Sequence, residues 1–387
     1  MIGSALARCT HLDRHLFADN AWGKCPSLSR ADQLPPPAGF ADLFGIEQAD
    51  HVLSRQGLRT PFLRAAKDGT ALPPTALTSS GGAGAWIADQ VDDTKIAALF
   101  EDGATIVLQG LHRTHPPLEA FGRALGADLG HPVQVNAYLT PPQSQGFSSH
   151  YDTHDVFVLQ VWGRKRWVVH EPVLASPLPQ QPWPGRREAV QAAAAGTPFL
   201  EAVLDPGDAL YLPRGWLHAA VALDETSVHL TVGIHVWTRR QVVEWILGMA
   251  GEVESLRSSL PLGVDFADPT SLSDDFAVTI SELCKVAEEA RVEEVAAVLR
   301  RQAMTATRPE PIAPIAQALL ARQPDPGLKI RWRDGIAHDT VIPDNEQYDD
   351  EALERLLAGQ IVTAADFGLK ATAAALAAGL IVPASSA

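Results

Sequence analysis

The chain has 387 residues, 46% of them hydrophobic and 20% charged, with a net charge of −15; this is the balance of folded globular domains and excludes a disordered or collagen-like chain. The length points to two or three domains, and no uninterrupted apolar run is long enough to span a bilayer, so no membrane partner is expected. A surface this acidic repels phosphate backbones, so direct nucleic-acid binding is not expected, while basic proteins remain suitable partners.

Near the start, Arg8, His11 and Asp13 interrupt any signal-like apolar stretch. Cys9, Cys25 and Cys284 are odd in number and widely spaced, against a disulfide framework or a thiolate metal site. A reducing, cytoplasmic location is therefore expected. Residues 1 to about 90 mix short helical patterns with breakers at Pro35-Pro36-Pro37 and Gly81-Gly82. They read as a lead-in that packs on a larger core.

From Thr105 the character changes to short β-rich runs divided by Gly, Pro and Asp turns: Thr105 to Leu108, Val133 to Leu139, Val156 to Trp162, Arg166 to Val169, Ala209 to Leu212 and Ser227 to Trp237. Many short strands with sharp turns favour a mainly β catalytic core, a double-stranded β-helix or jelly roll of the cupin type, within residues 1–240. No nucleotide-binding glycine fingerprint and no internal repeat of fixed period is present.

After Trp237 the strands stop. Val242, Ile246, Met249, Val253, Leu256 and Leu260 recur at helical steps, as do Phe276, Ile280, Leu283 and Ala287. Ser273, ahead of Asp274 and Asp275, is expected to cap the second of these helices. Residues 241–322 thus form a helical segment whose apolar stripes, with Ile246 and Met249 among them, predict a homodimer. Beyond Pro324-Asp-Pro-Gly327, residues 325–387 show a strand-like run to Trp332, helices near Glu351 to Leu357 and Ala371 to Ala378, and a closing Leu380 to Val382. This tail is winged-helix-like, yet ten acidic against five basic residues give it a net charge of −5, unsuited to DNA.

The chemistry concentrates in His150-Tyr151-Asp152 and in Pro213-Arg-Gly-Trp-Leu-His218. In an extended strand, residues two apart share a face, so His150 and Asp152 converge on one metal while Tyr151 turns away. His218, just past a Pro/Gly turn at the start of a second apolar strand, is the best third ligand. Two imidazoles and one carboxylate leave open positions on a metal, the arrangement of non-haem Fe(II) oxygenases. Upstream of it, Pro206-Gly207 predicts a type II turn. His154 keeps the strand parity of His150 and is the one nearby rival ligand. His229 and His235, in the final strand, read as packed or hydrogen-bonded, His112 and His115 as loop residues, and Thr231 as a candidate to line the pocket.

The stretch from Asn136-Ala-Tyr138 through His150-Tyr-Asp152 to Gly163-Arg-Lys165-Arg-Trp167, with Pro206 to His218, closely resembles the JmjC-type ribosomal oxygenases (cupin-4 family). These include the nucleolar histidyl hydroxylases and the bacterial ribosomal arginyl hydroxylase. The likeness is specific from about Gln134 to Trp237 and looser in the helical segment and tail, where the family carries a dimerisation bundle and a winged helix. The resemblance implies that His150, Asp152 and His218 hold Fe(II). It also implies that Lys165 and Tyr138 take the distal carboxylate of 2-oxoglutarate, a role that suits one cation and one hydroxyl donor. Strand alternation puts Arg164 and Arg166 on the face opposite Lys165.

Two departures stand out: Ser148-Ser149 replaces an Ala-Pro pair, and Gly233 stands where nucleolar members have a small hydroxyl side chain. They leave the modified residue open. The implied activity is hydroxylation of a His or Arg side chain in a basic ribosomal protein. The alternatives are a small-molecule or peptide hydroxylase, a lysine demethylase, a cupin enzyme that works without 2-oxoglutarate, and a non-catalytic cupin binding module.

Overall fold

The structure, a computed structural model, describes residues 4–37, 39–80, 86–338, 340 and 348–384; the Gly81-Gly82 breaker lies outside them. The chain divides into two compact units, Met1–Trp237 and Thr238–Ala387.

In the first unit an eight-stranded antiparallel sheet runs in the order Ser27–Ser29, Ala209–Leu212, Asp155–Trp162, Ser227–Ile234, Val133–Thr140, Thr105–Leu108, Leu63–Lys67 and Thr70–Ala71. A three-stranded sheet is ordered Leu200–Leu204, Lys165–His170, Leu217–Ala222. The strand Asp155–Trp162 shows how the layers form. Its Val156 and Val158 pack with Trp167, Val169 and Leu204 of the smaller sheet. Its Phe157, Leu159 and Val161 join Leu6, Phe17, Phe40 and Val52 of the N-terminal lead-in on the other face. Both faces are covered, which is why this strand reads as a continuous apolar run. The result is the expected double-sheet jelly roll, with the lead-in sealing its outer side.

Two glycine turns set the strands that bear the site. At Asp205-Pro206-Gly207-Asp208, Gly207 has φ +97° and the Asp208 amide donates to the Asp205 carbonyl at 2.9 Å, the predicted type II turn. Gly163, φ +59°, turns the chain from Trp162 toward Lys165, and a Cβ there would press into the Thr226 carbonyl.

The second unit opens with Thr238, whose capping box with Gln241 starts the helix Arg239–Ala250. The expected stripe from Val242 to Leu260 is not one helix: the chain breaks after Ala250 and resumes only as the short turn Glu254–Arg257. Ser273 is not an N-cap but the first residue of the helix Ser273–Glu289. A 3-10 turn, Pro269–Leu272, runs directly into that helix, and Asp268 caps the pair by accepting from the Thr270 amide. Asp274 and Asp275 do fall in the first turn, as expected.

Helices Val292–Ala306 and Pro314–Arg322 follow. The tail is a three-stranded sheet, Val362–Thr363, Lys329–Trp332 and Ile381–Pro383, packed with helices Asp350–Leu357 and Leu369–Ala377 around Ile330, Leu356, Phe367 and Leu376. Where a separate 241–322 segment was expected, Pro314–Arg322 joins this tail: buried Gln317 donates to the carbonyls of Leu376 and Ile381. Among the described residues no helix is long and apolar enough to cross a membrane.

Candidate active site

His150 and Asp152 precede the strand Asp155–Trp162 and are not in a strand of their own, since a bend at Thr153-His154 separates them from it. Only His150 has a ladder partner, an isolated antiparallel bridge to His218. The alternation still holds. Tyr151 turns away, fully buried against Val190 and Leu217, and donates its hydroxyl to the Gln181 carbonyl at 2.8 Å. On the opposite side, one ligand atom each of His150, Asp152 and His218 lie within 4.8 Å of one another, the single such group among the described residues. His154 is not part of it; its ring meets His235 edge-on at 5.6 Å.

Both imidazoles are oriented the same way. Nδ1 of His150 lies 2.8 Å from the Ser148 carbonyl and Nδ1 of His218 lies 3.1 Å from the Trp216 carbonyl. A carbonyl only accepts, so each Nδ1 carries a proton, which leaves Nε2 as the nitrogen that can serve as a ligand atom. His218 Nε2 is 3.7 Å from Asp152 Oδ2. Burial, reinforced by His150, pushes His218 down to about 4, so it is a neutral ligand at physiological pH. The Asp152 carboxyl is held below its ordinary value: burial raises it, but the positive charge that His154, His218 and His150 carry when protonated, together with Arg64, outweighs burial. Two imidazoles and one carboxylate are a donor set that could hold a divalent transition metal.

Deeper in the same cavity is Lys165, 3% exposed, which donates to Thr140 Oγ1 at 2.8 Å. Burial alone lowers its ammonium to about 7. No carboxylate pairs with it among the described residues. A buried amine without a counter-charge is poised to bind an anionic ligand together with a proton. Arg164 and Arg166 do take the opposite, exposed face, pairing with Glu225 and Glu201.

Tyr138 and Thr231 line the cavity, as expected. Burial first, then the Asp152 charge, push the Tyr138 phenol up to about 12, so it remains a donor. Thr140 was missed by sequence reasoning, although it sits two residues beyond Tyr138 on the same strand face. His229 is expected to be packed. It is packed, but its ring also lines the cavity. The insertion near the Pro182 turn brings Trp183 to 6.3 Å from the His150 ring, and Phe147 lies at 5.9 Å. His112 accepts from the Val135 amide and His115 approaches the Leu43 carbonyl, both away from the cavity.

The JmjC domain family matches residues 124–242 of the chain. The chain is 43% identical over 107 residues to the bifunctional lysine-specific demethylase and histidyl-hydroxylase NO66 of Drosophila persimilis, covering 27% of this chain and 14% of that protein. To the NO66 protein of Aedes aegypti it is 30% identical over 240 residues, 57% of this chain and 32% of that one. To ribosomal oxygenase 1 of Rattus norvegicus it is 37% identical over 139 residues, 36% of this chain and 23% of that one. The chain thus spans a third or less of the length of these relatives. Among solved structures, Escherichia coli YcfD in complex with cobalt and 2-oxoglutarate superposes with a TM-score of 0.51 at 18% identity, covering 96% of this chain and 98% of YcfD. The likeness extends over both units and shows the fold.

Proposed function

We propose, on the premise that the chain belongs to the JmjC family through residues 124–242, that it is an Fe(II)- and 2-oxoglutarate-dependent oxygenase hydroxylating a side chain of a ribosomal protein. The observation that carries this reading is one cavity holding both the His150, Asp152 and His218 cluster and the buried Lys165, which no carboxylate pairs with among the described residues. The cobalt and 2-oxoglutarate held by the YcfD structure support the same pair of groups.

When bound, iron and 2-oxoglutarate supply the oxidation: dioxygen and 2-oxoglutarate become succinate and carbon dioxide, with the second oxygen atom delivered to a substrate carbon as hydroxyl. The chain's own residues do the rest. His150, Asp152 and His218 would hold the metal. Lys165 and Tyr138 would receive the distal carboxylate, with Thr140 orienting the Lys165 amine and Thr231 lining the same cavity. Val156, Val158 and Trp167 keep water from that end of the cavity.

The substrate is a His or Arg side chain of a basic ribosomal protein. The histidyl-hydroxylase name of the NO66 relatives and the ribosomal-oxygenase names of the rat protein and YcfD support this, as does the net charge of −15. The chain acts in the cytoplasm as a homodimer, for which the exposed apolar positions Val243, Leu247, Phe276 and Ile280 are the support. Incubation with unmodified ribosomal proteins, iron and 2-oxoglutarate should add one oxygen atom to a single tryptic peptide. If none gains mass while a small metabolite drives stoichiometric succinate release, the enzyme is a small-molecule oxygenase instead.

A further inference from the structure

His229 is a buried group of this cavity that neither the metal triad nor the Lys165–Thr140 bond uses. It sits within the strand Ser227–Ile234, directly opposite Tyr138 in the ladder, and is 3% exposed. Its ring stacks on Tyr138 at 4.9 Å and 9° and meets Trp167 edge-on at 5.4 Å. Its Nδ1 is buried without a hydrogen-bond partner. Packing alone does not account for this choice. A phenylalanine ring would fill the same slot between Tyr138 and Trp167 and leave no unsatisfied nitrogen, whereas an orphaned buried polar atom is costly.

We propose that His229 is a further cosubstrate-positioning residue, donating a ring N–H to the distal carboxylate of 2-oxoglutarate alongside Lys165. The proposal rests on the cosubstrate reading above. A carboxylate offers about four acceptor sites, more than one ammonium fills. Lys165 spends one of its three donors on Thr140, and both groups line the same cavity. The Tyr138 stack and the Trp167 edge fix the imidazole plane, so little ordering is left to be lost on binding. Burial, with Lys165 and His218 nearby, keeps the ring neutral, which leaves it one N–H to give.

The test is equilibrium binding to the full-length, cobalt-loaded protein by calorimetry, with two probes. One is 2-oxoglutarate; the other is oxalate, which has the chelating end and no distal carboxylate. His229→Phe keeps a flat ring for the stack and removes the donor, and His229→Gln returns a donor without the ring. The Phe variant should bind 2-oxoglutarate about ten- to a hundredfold more weakly, with cobalt and oxalate affinities within about twofold of wild type. The Gln variant should recover part of the loss. A Phe variant that binds 2-oxoglutarate like wild type reduces His229 to packing and overturns the proposal. So do parallel losses of cobalt, oxalate and 2-oxoglutarate. A wild-type protein that binds cobalt and oxalate but no 2-oxoglutarate sinks the cosubstrate reading itself, a result distinct from either.

Discussion

His150 and His218 bracket each other through their own backbones: the His150 amide donates to the His218 carbonyl at 3.2 Å, and the His218 amide returns a bond to the His150 carbonyl at 2.8 Å. This isolated bridge pins the segment ahead of Asp155–Trp162 onto the start of Leu217–Ala222. It is reinforced where the Gly215 amide donates to the Asp152 carbonyl at 3.0 Å. The ligand side chains are therefore placed by main-chain bonds that do not depend on the side chains themselves.

Because the bracket is backbone, His150→Ala, Asp152→Ala and His218→Ala should each fold while losing the site. Removing a direct ligand exceeds the ten- to hundredfold loss typical of disturbing a ligand's supporting partner, so iron affinity should fall by more than about a hundredfold. Turnover should vanish. Circular dichroism should be unchanged and iron titration flattened; full activity in any of the three variants removes that residue from the site.

Lys165→Ala should raise the apparent KM for 2-oxoglutarate at least about a hundredfold, since breaking a buried charge pair costs about 3–5 kcal/mol. Iron affinity should change little, because Lys165 bonds to Thr140 and not to a ligand. Succinate release against 2-oxoglutarate concentration measures this. An unchanged curve favours a cupin enzyme that works without the cosubstrate.

The same lysine makes binding depend on pH. Burial holds Lys165 at about 7 in the free protein against an ordinary 10.5, and a bound carboxylate raises it again. Between about 7 and 10 the complex thus holds a proton that the free protein lacks, and affinity for 2-oxoglutarate falls as pH rises through that window. Stability of the free protein runs the other way. The unfolded chain binds the extra proton between about 7 and 10.5, so this group's contribution to stability rises with pH there. Calorimetry in buffers of different ionisation enthalpy should show close to one proton taken up on binding at pH 8.5 to 9, and none for Lys165→Met. Binding that strengthens with pH in that range contradicts the assignment.

The sequence made the strands and the triad legible because their signals are local. Short β-rich apolar runs between Gly, Pro and Asp turns, the Pro206-Gly207 turn and the His-x-Asp spacing are each written within a few residues. What it concealed is pairing across distance. No local pattern says that the His150 segment gains its register from His218, that Thr140 meets Lys165, or that His229 faces Tyr138 across a ladder. The apolar stripe from Val242 to Leu260 misled for a related reason. Side-chain periodicity continues through Gly251, where the helix ends, because apolar residues beyond the break keep the spacing without the helix.

That break also decides where the dimer should be tested. Ile246 and Met249 belong to the apolar stripe but are half-buried within their own unit, so acidic substitutions there would damage the fold itself. Val243 and Leu247, four residues apart on the same helix, are each 52% exposed, and Phe276 and Ile280 repeat the spacing on the neighbouring helix at 66% and 43%. Burying such side chains is worth about 1.5–3 kcal/mol each when complete, and a two-fold axis doubles the set. The wild-type protein should scatter light as twice the chain mass at micromolar concentration. Val243→Glu with Leu247→Glu should give folded monomers, since both side chains point out of the unit and their loss removes no internal packing. A wild-type monomer refutes the dimer, and a double variant that remains dimeric moves the interface to another face.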